Sequence, residues 1–209
     1  VKSGEIKYSG ILLAAGNSSR MNKWKMEVVV NELPILFHSL KKLLTVCEEI
    51  ILVGGKNFDK LNELIQKYPN ETGKPIRVIL NKNYEQGMFS SIKAGVESAG
   101  NDSIFIALAD MPFVKDETYQ KLKTSFESRN DFDYIQPALM REDGKQKKGH
   151  PILMNTYIST AIKGESPHAT LRDVLKKFKC EVLSTTDEGV VFDIDTPEDL
   201  LKAEKLFLK

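Results

Sequence analysis

The chain has 209 residues, 41% hydrophobic and 28% charged, and its 30 Lys+Arg against 29 Asp+Glu leave a formal charge of +1. That length suits one domain of about 100–200 residues, and the composition excludes a disordered or collagen-like chain. The near-zero charge supplies no global field for a nucleic-acid backbone or an anionic membrane, so neither is an expected partner and any polyanion must be held locally.

Short apolar, β-branched runs alternate with longer segments of helical period, which predicts an α/β fold: a doubly wound, mostly parallel sheet covered on both faces. The first run, Tyr8–Leu13, predicts a strand that opens into Ala14-Ala15-Gly16-Asn17-Ser18-Ser19-Arg20-Met21 and runs on to Lys25. The loop after the first strand of such a sheet is a usual ligand site. Its small residues let backbone amides approach an anion, and Arg20 and Lys25 bring charge. It is neither GxGxxG nor GxxxxGK[ST], so an ordinary turn with solvated bases stays open as the alternative. Ile35–Val46 puts Ile35, Leu36, Leu40, Leu43 and Leu44 on one stripe and predicts a crossover helix, with His38 on its polar side.

The rhythm continues through a strand at Glu49–Val53, a helix carrying Leu61, Leu64, Ile65 and Tyr68, a strand at Ile76–Leu80 and a helix at Met88–Ser98. A strand at Ser103–Ala107, a helix at Glu117–Phe126 and a strand at Asp133–Pro137 follow. Asp110 then falls at the carboxyl tip of a central strand, where its carboxylate is placed either to bind Mg²⁺ or to cap the following helix. At Met140–Met154 the pattern breaks, and the polar turn Arg141-Glu142-Asp143-Gly144-Lys145 predicts a small β-hairpin inserted at the sheet's edge. A strand at Glu181–Leu183 and a helix at Thr196–Phe207, with a Thr cap and Pro197 in its first turn, close the chain. No linker or internal repeat divides residues 1–209, which read as a single domain. Cys47 and Cys180 are distant and form no CxxC, so a disulfide framework is not expected and a cytoplasmic setting fits. No apolar run approaches the ~20 residues that span a bilayer.

Residues 13–25 read as LAAG-x-S-x-R-M-x-x-x-K. After them come Asn81 with Gln86-Gly87-Met88-Phe89-Ser90-Ser91, then Ala109-Asp110-Met111-Pro112, Gly149-His150-Pro151 and Asp193-Ile194-Asp195-Thr196-Pro197-Glu198-Asp199-Leu200. In this order the five stretches resemble the MobA-like nucleotidyltransferases, and more narrowly their molybdenum cofactor cytidylyltransferase branch. One departure is Asn22, where the family usually has Gly. The resemblance implies a Rossmann-like nucleotidyltransferase fold that moves CMP from CTP to the terminal phosphate of molybdopterin and releases pyrophosphate, with Mg²⁺ as cofactor. It also implies an apo molybdenum hydroxylase of the xanthine dehydrogenase type as partner.

Carried over residue by residue, Arg20, Lys25 and Asp110 are the implied catalytic groups. Leu13, Ala14, Ala15, Gly16, Ser18, Asn81, Gly87 and Ser90 join them around the nucleotide. His150 faces the acceptor, and Asp110 and Asp195 hold the metal. Blander readings stay open: Asp195 as organiser of the last helix, Ser90-Ser91 as helix-surface serines, His150 as a structural histidine. The attacking phosphate has a second pKa of about 6 and needs no base, which agrees with the absence of GxSxG, HExxH or a Cys-His motif. Guanylyl-transferring relatives carry Leu-Ala-Gly-Gly where this chain has Leu-Ala-Ala-Gly, so the Ala15 methyl is expected to narrow the base slot. The competing readings are a guanylyltransferase, a sugar- or isoprenoid-phosphate nucleotidyltransferase of the same fold, or a non-catalytic carrier of the cofactor.

Overall fold

The computed structural model describes residues 6–16, 23–129 and 131–207. In chain order the elements are β1 (Tyr8–Leu13), a ribbon of β2 (Val29–Val30) and β3 (Leu33–Pro34), α1 (Ile35–Val46), β4 (Glu49–Gly54), α2 (Phe58–Gln66), β5 (Ile76–Leu80), α3 (Met88–Ser98), β6 (Ser103–Leu108), α4 (Asp116–Ser128), β7 (Tyr134–Met140), β8 (Gln146–Lys148), β9 (Ile152–Asn155), α5 (Ile158–Gly164), α6 (Leu171–Leu175), β10 (Cys180–Thr185) and α7 (Pro197–Phe207). The main sheet runs β10-β7-β9-β6-β1-β4-β5, with β8 paired to β7.

All six residues of β1 are buried, because parallel β4 and β6 flank it and helices cover both faces. Side chains alternate between those faces. Leu12 joins a core with Leu36, Leu40 and Leu43 of α1, while Ile11 and Leu13 join a second core with Ile92 and Val96 of α3. Each fully buried Leu or Ile contributes about 1.5–3 kcal/mol, so the apolar stripes of the helices decide which face each one covers. The same stripes explain why α1 and α3 have the bounds their sequence predicts. Among the described residues no helix is long and apolar enough to cross a membrane.

The excursion after β7 differs from the expected edge hairpin. Its turn forms, with Ala138 opposite Lys148 and Met140 opposite Gln146. The returning chain, however, enters the sheet interior as β9, antiparallel to both β6 and β7. Ile152, Leu153 and Met154 are all buried, a run without alternation that needs cover on both faces, whereas Gln146-Lys147-Lys148 is exposed throughout. Between the two pieces, the three steps from Ile135 to Ala138 on β7 are matched by five from Leu153 to Lys148, and Gly149-His150-Pro151 takes up the excess as a bulge.

Candidate functional site

Strands β1, β4, β5 and β6 run parallel, so their carboxyl ends share one rim of the sheet. There a cavity of about 390 Å³ is lined by Leu13, Ala15, Gly16, Gly87, Ser91 and Asp110. Tyr84 and Glu85 also line it and were missed in the sequence, although they immediately precede the Gln86–Ser91 stretch; Met88, inside that stretch, lines it too but was given no role. Ala14 turns the other way: it is buried in the core, and its N–H donates to the Val53 carbonyl at 2.9 Å. Arg20 and Ser18 lie outside the described residues, as does Asn22.

Lys25 opens a single 3-10 turn, Lys25–Glu27. Its Nζ donates to Asp110 Oδ2 at 2.6 Å and to Asp195 Oδ1 at 2.7 Å, and its side chain is only 7% exposed against 22% and 31% for the two acids. Burial works against the ammonium, but Asp110 and then Asp195 outweigh it and hold its pKa above the usual lysine value. Lys25 is therefore charged at any pH near neutral.

Helix α4 begins at Asp116 with Lys115 as its cap residue, so Asp110 does not cap it. The organising work at the last helix falls to Asp199, whose Oδ2 accepts from the backbone N–H groups of Asp195 and Thr196 at 3.2 and 2.9 Å. The Thr196 hydroxyl accepts in turn from Asp199 N–H at 3.2 Å, which closes a capping box and fixes the backbone that carries Asp195. Burial, then Asp195 and Asp110, raise the pKa of neighbouring Asp193, while Lys25 opposes them.

Asn81, Ser90 and Ser91 form one knot. Asn81 Nδ2 donates to the two hydroxyls at 2.8 and 2.9 Å, and Ser90 Oγ, with one proton to donate, lies 2.8 Å from the carbonyls of both Asn83 and Gly87. Asn81 and Ser90 thus shape the loop rather than line the cavity, and Ser91 alone of the three faces it. The loop turns at Gly87, whose φ of 96° and ψ of −178° suit only glycine.

Gly87 and Met88 also belong to a second cavity of about 930 Å³. His150 lies in its wall with Lys147, Lys148, Arg172 and Lys176, and among the described residues no Asp or Glu lines it. Arg172 and Lys176 were missed because α6 is only five residues long and carries too little periodicity to read. His150 N–H donates to the Val190 carbonyl at 2.9 Å, and a Cβ on Gly149 would lie 1.8 Å from that oxygen, so only glycine allows the approach. Burial lowers the His150 pKa, with the Ile106 carbonyl and Asp110 pulling upward, so the imidazole is neutral at pH 7. His38 is half-buried rather than solvated, with Nε2 2.7 Å from the Val30 carbonyl.

Asp110 Oδ1 is buried and has no hydrogen-bond partner among the described residues. With Asp195 close by on the shared ammonium, these are hard oxygen donors of the kind Mg²⁺ takes, one or two carboxylates completed by water and phosphate oxygens. No group of three His, Cys, Asp or Glu side chains that could hold a metal occurs among the described residues.

Residues 10–184 match the model of the MobA-like NTP transferase domain. A molybdenum cofactor cytidylyltransferase of Escherichia coli is 33% identical over 199 residues, which cover 94% of this chain and 95% of that protein. A probable molybdenum cofactor guanylyltransferase of Methanosarcina acetivorans is 28% identical over 206 residues, 92% of this chain and 88% of that protein. Among solved structures, the 4-diphosphocytidyl-2C-methyl-D-erythritol synthase of Anaerococcus prevotii is similar with a TM-score of 0.76 and 16% identity, over 98% of this chain and 99% of that one, a likeness of fold alone.

Proposed function

As a member of the MobA-like NTP transferase family, the chain is a nucleotidyltransferase, and we propose that it moves a nucleoside monophosphate from a triphosphate to the phosphate of a bulky anionic acceptor, releasing pyrophosphate. The observation that carries this reading is the Lys25 ammonium held between Asp110 and Asp195 at the 390 Å³ cavity, beside a 930 Å³ cavity whose charged lining is cationic. The smaller space suits a base and its triphosphate, the larger the acceptor. Sites of about 300–1,000 Å³ are the usual size for such ligands.

The roles follow from charge. Lys25 supplies a movable point charge to the α-phosphate, and Arg20 a planar fork to the outer phosphates. Asp110 and Asp195 would hold Mg²⁺, which when bound neutralises phosphate oxygens. The acceptor phosphate, with a second pKa of about 6, arrives ionised, so positioning takes the place of a general base. A neutral His150 then offers a hydrogen bond to the acceptor rather than a charge, and Lys147, Lys148 and Arg172 give the anion its attraction.

In its specific form the reaction joins CMP from CTP to molybdopterin, which the Escherichia coli relative and the Ala15 methyl support. The competing reading is guanylyl transfer, or transfer to another phosphorylated acceptor on the same fold, supported by the Methanosarcina relative. The test is pyrophosphate release and product mass with Mg²⁺, molybdopterin and each of the four ribonucleoside triphosphates. Release with CTP and a product heavier by CMP supports the first reading. Release with GTP alone supports the second, and no release with any triphosphate defeats both for this acceptor. Ala15→Gly is expected to shift the CTP/GTP ratio of kcat/KM toward GTP by about 10-fold, the scale of one methyl in a pocket; an unchanged ratio removes Ala15 from base selection. The implied partner, an apo molybdenum hydroxylase, is tested by whether the product formed activates it.

A further inference from the structure

Leu108-Ala109-Asp110-Met111-Pro112 leaves a parallel strand, so its carbonyls have no ladder partner and must be satisfied from elsewhere. Much of that demand is met by one face of α1. Ser39, fully buried, has its hydroxyl 3.2 Å from the Leu108 carbonyl and 3.3 Å from that of Met111, and Lys42, three residues on, donates from Nζ to the Pro112 carbonyl at 2.5 Å. Across the loop, Ile194 N–H donates to the Asp110 carbonyl at 2.9 Å. Asp187 accepts from Lys115 N–H at 2.8 Å and from the Thr118 hydroxyl at 2.6 Å, which pins the start of α4.

We propose that Ser39 and Lys42 are positioning residues for the nucleotidyl-transfer site, fixing from α1 the backbone that aims the Asp110 carboxylate. Lys42 is the telling member. It is half-buried, and no carboxylate of the described residues lies within ion-pair distance of its ammonium, whose contact is a neutral carbonyl. A neutral donor or a water would satisfy that carbonyl without the cost of desolvating a charge. Burial pushes the Lys42 pKa down to about 8 from its ordinary 10.5, against the opposing pull of Asp116 and Asp187. The charge is retained where the chain bends into the loop that bears Asp110, two residues from that acid. The inference rests on Asp110 acting at the triphosphate as proposed above.

The experiment compares the wild-type chain with Lys42→Met and Ser39→Ala. It measures Mn²⁺ affinity by calorimetry with the metal alone, Tm, and kcat and KM for pyrophosphate release. Groups that orient a metal ligand typically change affinity or activity by about 10–100-fold, so each variant is expected to bind Mn²⁺ about 10-fold more weakly and to lose kcat more than KM. Wild-type kcat is also expected to fall as pH rises through about 8, a limb that Lys42→Met lacks. The charged groups around Lys42 are Asp116 on α4, Asp187 ahead of the Glu188–Val191 turn and Lys41 on its own helix, where His38, its pKa lowered by burial, is a titratable but uncharged neighbour near pH 8.

The sign for stability is opposite. Between about 8 and 10.5 the unfolded chain binds the Lys42 proton and the folded chain does not, so the contribution of Lys42 to stability rises with pH and its titration does not unfold the protein there. Equal Mn²⁺ affinity in all three proteins, with only Tm lowered, overturns the proposal, as does a wild-type chain that takes up no Mn²⁺. A wild-type chain that binds Mn²⁺ but releases no pyrophosphate counts against nucleotidyl transfer, and the affinities then decide the positioning role.

Discussion

Asp110→Asn is expected to lower kcat/KM for nucleotidyl transfer by about 10³-fold, the upper range for removing one preorganised electrostatic group. The amide keeps the shape of the side chain, and the loop is held through backbone bonds that the change does not touch, Ile194 N–H to the Asp110 carbonyl at 2.9 Å and Ala109 N–H to the Leu13 carbonyl at 3.1 Å. The amide oxygen can still accept from Lys25. What disappears is the negative charge and, with it, the buried Oδ1 available to a cation. Folding should survive, because Lys25 retains Asp195 at 2.7 Å. Stopped-flow pyrophosphate release with Tm measured in parallel checks this: activity within threefold of wild type removes Asp110 from the chemistry, and a collapsed Tm assigns it to folding instead.

How far the sequence carries depends on whether a residue's role is local. The stripe of Ile35, Leu36, Leu40, Leu43 and Leu44 sets both the bounds of α1 and the face it buries, since helical period and burial are the same fact. The interior position of β9 was hidden, because a three-residue apolar run says that both faces are covered but not which strands flank it. Lys25 and Asp110 are legible as parts of motifs, and Asp195 with them, although the helix-capping role once open to Asp195 belongs to Asp199. Asn81 and Ser90 illustrate the limit: a motif marks them as near the nucleotide, and only the hydrogen bonds reveal that they knot the loop while Ser91 faces the cavity. Lys42 drew no reading in the sequence, and only the packing of the loop after β6 against α1 sets it apart from its neighbour Lys41.

Lys25→Met tests the centre of the site in a different way, because it removes a charge that two acids share. Methionine retains the buried apolar stem. The ammonium is lost from between Asp110 and Asp195, and their repulsion then stands without it. Breaking a fully buried pair costs about 3–5 kcal/mol. With the acids 22% and 31% exposed, about 1–3 kcal/mol is expected, and kcat should fall by about 10²–10³-fold as the α-phosphate loses its point charge. Two further results follow from the same electrostatics. Added Mg²⁺ should raise the Tm of the variant more than that of wild type, since a divalent cation bound by the folded state stabilises it by mass action and relieves the repulsion. Adding Asp195→Asn to Lys25→Met should restore part of the lost stability, because it discharges one of the two acids, whereas independent sites would simply add their losses. Thermal melts of the two single variants and the double variant, with and without Mg²⁺, decide the matter: additive losses would mean that Lys25 does not hold the two carboxylates together.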